Sequence, residues 1–413
     1  MGPMPQLPGK HTPFIALAPM EGVSSLPMRL WWFLASAPTS LATPFLRVTP
    51  TFPLGALPPG FSPELAQLRS YLHYTLVPQM MAADSADFVR TAPYFLASAP
   101  FVELNAGCPS PTCVGKGAGS SLLRVGDEFH GFVDALQRGL GASAVAVKMR
   151  TGFYDSSEFI HLISGLNEFP LARLTVHGRT RPDRYSGQAR WDLIADASNS
   201  LSTAVVASGD VVDQASLAHR LAKAPGVAGV LIGRGALRNP WIFEELRAGA
   251  TVHLSFATLR YALIAHALLH ELFQVHMDLL FELCKTGLFD RSCGTDEASW
   301  QRVQEALAKA LYGAHHPGFT GDAEPSDGWP LTRQTLGRLK MLWNYLRSSL
   351  PPAFFAPTLL RTPSLAAFLQ HLQQIFIDYQ NQGGEALLAL RHQPALDWMY
   401  SGDKQQRPEA MGR

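Results

Sequence analysis

Cys108 stands in the string Asn105-Ala106-Gly107-Cys108-Pro109, where Gly107 permits a sharp turn and Pro109 ends any strand. A thiol on such a turn can serve as a nucleophile, a metal ligand or a general acid, although a lone cysteine is more often an inert core residue. No Cys/His cluster with metal spacing accompanies it, so no metal site is expected. Lys148 and Arg150 lie two apart on one strand-like run and face the same side. A lysine among apolar neighbours is costly to bury without an anion; it pairs with a neighbouring strand or holds an electron-rich ligand. Gly209 and Gly233-Arg234-Gly235 follow two later apolar runs. Glycine there lets backbone N–H groups approach an anion such as a phosphate. His177 has the chemistry of a base and equally that of a ligand to a phosphate or sugar chain. Cys113, five residues after Cys108, is expected to lie in a loop and not to pair with it.

These residues need a scaffold that gathers them. Eight short apolar runs, at residues 14–19, 40–48, 75–81, 101–107, 144–150, 173–179, 203–209 and 229–234, read as strands buried on both faces. Helix-compatible segments separate them, at 26–35, 63–72, 83–97, 128–140, 156–167, 191–198, 213–222 and 236–247. Eight strand–helix units predict an α/β fold, a (β/α)8 TIM barrel spanning residues 14–248. An open doubly wound sheet fits less well, because no Gly-rich nucleotide loop follows the first strand. In a barrel the working residues sit at the C-terminal strand ends. Every strand here ends in polar or turn residues: Pro19-Met20-Glu21, Arg47, Gln79, Asn105 to Cys108, Lys148 with Arg150, His177, Ser208-Gly209-Asp210 and Gly233-Arg234. Beyond residue 250 the strand signal ends. Segments 253–280, 299–311, 332–350 and 363–379 read as helices, with loops at 285–296 and 315–330. A helical domain over 249–400 is expected, flanked by an N-terminal tail at 1–13 and a polar tail at 401–413.

With 413 residues, 47% hydrophobic and 16% charged, the chain has the composition of a globular protein and not of a disordered one. No apolar run reaches the length needed to cross a bilayer, and the N-terminus lacks the apolar core of a signal peptide. A cytoplasmic protein with four reduced cysteines and no membrane partner is expected, and a monomer. Net charge is only +1, but its distribution is uneven. Residues 271–327 hold 10 acidic and 4 basic side chains, whereas residues 328–377 hold no acid and five bases: Arg333, Arg338, Lys340, Arg347 and Arg361. Such a stretch is either a solvated helix face or a phosphate-binding one. At helical spacing Trp343 belongs to the core more often than to a base-stacking surface.

Taken together and in order, APMEGV at residues 18–23, Gln79, LNAGCPS at 104–110, GAGSSLL at 117–123, VKMRTG at 147–152, VHGRT at 176–180, SGD at 208–210 and GRGAL at 233–237 resemble the tRNA-dihydrouridine synthase family. The resemblance covers residues 14–247 strongly and resumes in RLKMLWNYLR at 338–347. It implies an FMN-dependent enzyme that reduces a D-loop uridine in tRNA, with NADPH as co-substrate. Pro19, Met20, Glu21, Gln79, Lys148 and His177 would line the flavin, and Ser208, Gly209, Asp210, Gly233 and Arg234 would hold its phosphate. Hydride would come from the reduced cofactor to uracil C6, and Cys108 would be the proton donor to C5. Asn105 would hold the extruded uracil; Arg47, Tyr185, Arg338, Lys340 and Arg347 would meet the RNA. FLRV at 45–48, Tyr185 and the RLKMLWNYLR helix are most similar to the C subclass, which modifies position sixteen. Three features depart from the family pattern: Ser208 in place of an asparagine, Pro111 in place of a basic residue, and a longer acidic stretch near 282–327. A flavin barrel acting on a free small molecule and a non-catalytic RNA-binding barrel are the competing readings. The basic helix speaks against the first. Intact Cys108, Lys148 and Gln79 speak against the second.

Overall fold

The computed structural model describes residues 13–54, 57, 61–313 and 330–393. The expected tails, apart from residue 13, and nearly all of the expected loop at 315–330 lie outside these residues. The chain opens with β1 (Phe14–Leu17), α1 (Leu26–Ser36), β2 (Ser40–Arg47), β3 (Thr75–Met81), α2 (Ser85–Leu96), β4 (Val102–Ala106), α3 (Pro111–Val114), α4 (Gly126–Leu140) and β5 (Val145–Arg150). It continues through α5 (Phe159–Ser164), β6 (Leu174–His177), α6 (Trp191–Ser200), β7 (Val205–Ser208), α7 (Gln214–Lys223), β8 (Gly229–Ile232), α8 (Arg234–Arg238) and α9 (Ile242–Ala248). The eight strands pair in sequence order into a closed barrel. β1 closes it by running parallel to β8, with Phe14 opposite Gly229 and Leu17 opposite Ile232. The expected (β/α)8 architecture is therefore present, followed by a helical region.

Register decides which side chains share the interior. Asn105 stands opposite Lys148, Lys148 opposite Thr175, Arg150 opposite His177, and His177 opposite Ser208. Residues opposite one another in register face the same way, so these line the inside. Alternate residues such as Val147, Met149 and Val176 face outward and join the main core between strands and helices. The interior is chemically divided. Ala16, Ala18, Val206 and Leu231, with Phe14, make an apolar half beside β1, β7 and β8. Gln79, Glu103, Asn105, Lys148 and Thr175 give the β3–β6 side a polar half.

Two of the expected helices are shorter than the apolar pattern suggests. Residues 63–72 form only a single 3-10 turn, Pro63–Leu65, and 156–167 is broken into 3-10 turns around α5. Glu64 explains the first case. Its carboxylate turns inward to take two hydrogen bonds, 2.7 and 3.0 Å, from the fully buried Arg29 of α1. Tertiary ion pairing has overridden the local helical pattern.

After the barrel come β9 (His253–Ser255), α10 (Phe256–Val275), α11 (Met277–Cys284), α12 (Glu297–Tyr312), α13 (Arg333–Leu346), α14 (Leu365–Asn381) and β10 (Leu387–Ala389). The strand signal was expected to end at residue 250, but β9 and β10 pair antiparallel. Each is three residues long and finds its partner more than 100 residues away, which no local pattern displays. α10 and α13 begin at side-chain caps: Ser255 accepts from Thr258 N at 3.0 Å, and Thr332 from Thr335 N at 3.2 Å. α1 is the seam between barrel and helices. Its Trp32 indole donates to Ala236 O at 3.0 Å, and its Trp31 indole to Ala262 O at 2.8 Å. Trp300 of α12 lies 6.4 Å from Trp31 and 6.2 Å from Trp241, with all three rings buried. Gly294 O accepts both the Trp241 and Trp300 indole N–H groups, at 2.6 and 2.9 Å. The described part of the acidic stretch near 282–327 is thus packed into the seam, not appended to it.

Candidate active site

Cys108 follows β4 directly, and its loop is held from both sides. Asn105 Oδ1 accepts the Gly107 and Cys108 N–H groups at 3.0 and 2.9 Å. Arg150 Nε donates to Gly107 O at 2.8 Å, and Ser120 N to Cys108 O at 3.0 Å. Gly119, at φ +64°, passes beneath; a Cβ there would lie 2.9 Å from Cys108 O. The sulfur is half-buried. Burial is the main cause that raises its pKa to about 11, so the group is a protonated thiol near neutrality. The Cys108 thiol stands 3.7 Å from the Cys113 sulfur. Cys113 was expected in an open loop; it lies instead in α3 and is buried.

Lys148 projects from β5 into the mouth beside this loop. Among the described residues it has no hydrogen-bond or ion-pair partner. Burial lowers its pKa to about 8, against the opposing pull of Glu103. It carries its charge below that pH, with no hydrogen-bonded counter-ion among the described residues. Arg150, expected to share that role, is spent on structure: besides Gly107 it donates to Thr180 O at 2.8 Å and Arg184 O at 2.9 Å. It ties the loop after β4 to the loop after β6. Burial first, and then Arg150, Lys148, Arg179 and Arg234, hold His177 well below the usual histidine range. His177 is therefore a neutral imidazole, able to hydrogen-bond but not to act as a cation.

At the ends of β7 and β8, Ser208 is buried and Gly209 has φ +127°. A Cβ on Gly209 would come 2.7 Å from the Ala189 Cβ, so only glycine fits. The Asp210 carboxylate is fully engaged: Arg179 Nη2 donates at 2.7 and 3.0 Å, and Ala189 N at 2.6 Å. A carboxylate already bound to arginine orders the loop and leaves only the backbone of Asp210 for the expected phosphate contact. Gly233 and Arg234 open α8, with the Arg234 guanidinium 4.6 Å over the Tyr185 ring. Pro19 and Met20 are half-buried and Glu21 is exposed at the end of β1. Gln79 is fully buried, bonded to Glu103 and Asn105.

The expected RNA contacts divide. Arg47 is half-buried at the end of β2, and Tyr185 is 46% exposed on the barrel mouth. Arg338 reaches across from α13 to the carbonyl of Gly22, in the loop after β1. Lys340 donates to Thr362 O at 2.6 Å inside the helical region. Arg347 is a correction: only 5% exposed, it donates to Asn344 Oδ1 at 2.8 Å and stacks 4.4 Å over Phe355. A guanidinium packed on an aromatic ring and covered by its own fold cannot reach RNA. Trp343 is likewise core, edge-on to Phe368 at 5.6 Å. Asn105, expected to hold a base, uses its carbonyl and one N–H internally. Sequence reasoning missed Glu103, Arg173 and Arg179. The available signal was a carboxylate inside the apolar run FVELNAG, which needed a buried cation somewhere.

The dihydrouridine synthase family model matches residues 16–287, well over half of the chain. The chain belongs to the dihydrouridine synthase family. A tRNA-dihydrouridine(16) synthase of Ralstonia nicotianae is 32% identical over 242 residues, covering 56% of this chain and 72% of that protein. One of the same name from Cupriavidus necator is 32% identical over 234 residues, with 56% and 72% covered. The tRNA-dihydrouridine synthase B of Pseudomonas putida is 36% identical over 178 residues, covering 41% of this chain and 48% of that protein. The chain thus spans about half the length of some of the synthases it matches. Among the described residues no cluster of three or more His, Cys, Asp or Glu could hold a metal, and no helix is long and apolar enough to cross a membrane.

Proposed function

We propose that this protein is an FMN-dependent tRNA-dihydrouridine synthase that reduces the C5–C6 bond of a D-loop uridine, at position sixteen as the names of the Ralstonia and Cupriavidus relatives suggest. The observation that carries the reading is the pairing, in one barrel mouth, of a protonated Cys108 thiol with a half-buried Lys148 that has no hydrogen-bond or ion-pair partner among the described residues. The interior fits a flavin. Lys148 would face the electron-rich edge of its ring system, with Pro19, Met20, Gln79 and neutral His177 around it. Backbone N–H groups at Gly209 and Gly233, with Arg234, would hold the phosphate. When bound, reduced FMN supplies hydride to uracil C6, having taken it from a nicotinamide nucleotide such as NADPH.

The chain's own residues do the rest. Cys108 keeps its proton across the physiological range and would deliver it to C5, as a general acid does. Asn105, Arg150 and Ser120 keep the thiol from wandering. Arg179 and Asp210 order the loops after β6 and β7. Tyr185 and Arg47 at the rim, and Arg338 bridging from α13, would meet an extruded base and its backbone; extrusion itself costs on the order of a few kcal/mol. Mass spectrometry of tRNA from cells lacking this protein is the direct test. Loss of dihydrouridine from the D-loop is expected; tRNA with its full complement would overturn the reading.

A further inference from the structure

The polar half of the barrel interior is one directional chain of hydrogen bonds. Arg173 Nη2 donates to Glu103 Oε2 at 2.9 Å. Gln79 Nε2 donates to Glu103 Oε1 at 2.7 Å, and Asn105 Nδ2 to Gln79 Oε1 at 2.9 Å. Asn105 Oδ1 then accepts from the backbone of Gly107 and Cys108. Both ends are pinned by chemistry. A carboxylate only accepts; backbone N–H groups only donate. Each amide between them has one oxygen end and one nitrogen end, so only one orientation of each satisfies the chain. Gln79 must turn its nitrogen to Glu103, and Asn105 must turn its oxygen to the Cys108 loop. Flipping either sets N–H against N–H at a site where Gln79 and Glu103 are fully buried, which is costly where no water can relieve it.

We propose that Glu103, anchored by Arg173, is a positioning residue for the proton donor. It fixes the orientation of Gln79 and Asn105 and so holds the two N–H groups that aim the Cys108 thiol. The inference rests on Cys108 being that donor. The loop's two carbonyls are held elsewhere, by Arg150 and Ser120. Among the described residues, its two N–H groups are held by Asn105 Oδ1 alone. Replacing Glu103 by glutamine gives the anchor a donor end. Turned toward Arg173, that end faces a guanidinium. Turned toward Gln79, it reverses both amides and points Asn105 Nδ2 at the Cys108 N–H. No arrangement of Glu103→Gln satisfies every member. Adding Asn105→Asp does: the reversed chain then ends on a carboxylate that accepts from both the Gln79 amide and the loop.

The test uses the full-length, flavin-loaded protein. In Glu103→Gln, transfer to tRNA in a single turnover should slow by roughly 10- to 100-fold, well beyond any change in the rate at which NADPH reduces the flavin. In a Cys108→Ala background the same substitution should slow that transfer far less, because its main effect passes through the thiol. An additive effect, or a parent-like single turnover, would overturn the proposal. A second arm needs no turnover. In a Cys113→Ala background, alkylation of Cys108 by iodoacetamide across pH should change several-fold on Glu103→Gln, and an unchanged profile would contradict the idea. The Glu103→Gln, Asn105→Asp double variant should regain thermal stability lost in Glu103→Gln; a double variant less stable than either single one would show that polarity is not what Glu103 supplies. Should the parent make no dihydrouridine, the donor reading falls, while alkylation and stability still report on Glu103.

Discussion

At the scale of single residues the account turns on two perturbed groups, both shifted mainly by burial. Cys108 stays protonated until pH approaches about 11. Its acid form is the lower-pH form, so the step it serves should not weaken between pH 6 and 9. Cys108→Ala should retain FMN, since the thiol holds no cofactor atom, and lose dihydrouridine formation by roughly 100-fold or more. Near-normal turnover would remove Cys108 from the mechanism. Cys113→Ala should leave turnover within a few-fold, although its sulfur is only 3.7 Å away, because nothing aims that thiol into the mouth. Lys148 behaves in the opposite sense. With its pKa lowered to about 8, the free protein holds the cation below that pH and loses it above. FMN affinity of the apoprotein should therefore fall by up to about tenfold per unit as pH rises beyond 8. In Lys148→Met affinity should be weaker and that slope absent, as titration of apoprotein with FMN would show; an unchanged slope would assign it to another group.

At the scale of elements, the strands and their order were legible because each is a short apolar run ending in polar residues, and the parallel barrel makes that end the working end. Lys148 and Cys108 could be read for the same reason. The Glu103–Gln79–Asn105 chain could not, because it depends on which of two neighbouring strands' residues fall in register, and the sequence carries no register. The short β9–β10 ribbon was hidden by its sequence separation. Charge was misleading in α13: an acid-free stretch suggested an RNA-facing surface, but Arg347 and Lys340 serve the packing of the helical region. The acidic stretch was misleading in reverse. It looked like an insertion, yet Trp300 belongs to the seam formed with Trp31 and Trp241. Trp300→Ala should cost about 3–5 kcal/mol, read as a clear drop in thermal midpoint of the whole protein. A variant melting with the parent would restore the view of that segment as an appendage.

At the scale of the whole molecule, the barrel supplies the chemistry, and α1 joins it to the helices that stand beside its mouth. Arg338, reaching from α13 to Gly22, is one of the described contacts that let the helical region touch the loop after β1. A large RNA could then bridge barrel rim and helices while one base enters the mouth. Binding to such a backbone should weaken with salt, and Tyr185→Ala together with Arg47→Ala should weaken tRNA binding without altering flavin content. The central claim is reduction of a tRNA uridine by this chain with its own flavin. It is tested most directly by incubating the purified, FMN-loaded protein with NADPH and an unmodified tRNA transcript, then mapping the RNA by mass spectrometry. The account predicts a gain of two hydrogen atoms on one D-loop uridine, at position sixteen, and none with Cys108→Ala. A transcript of unchanged mass, with flavin bound and reducible by NADPH, would contradict it.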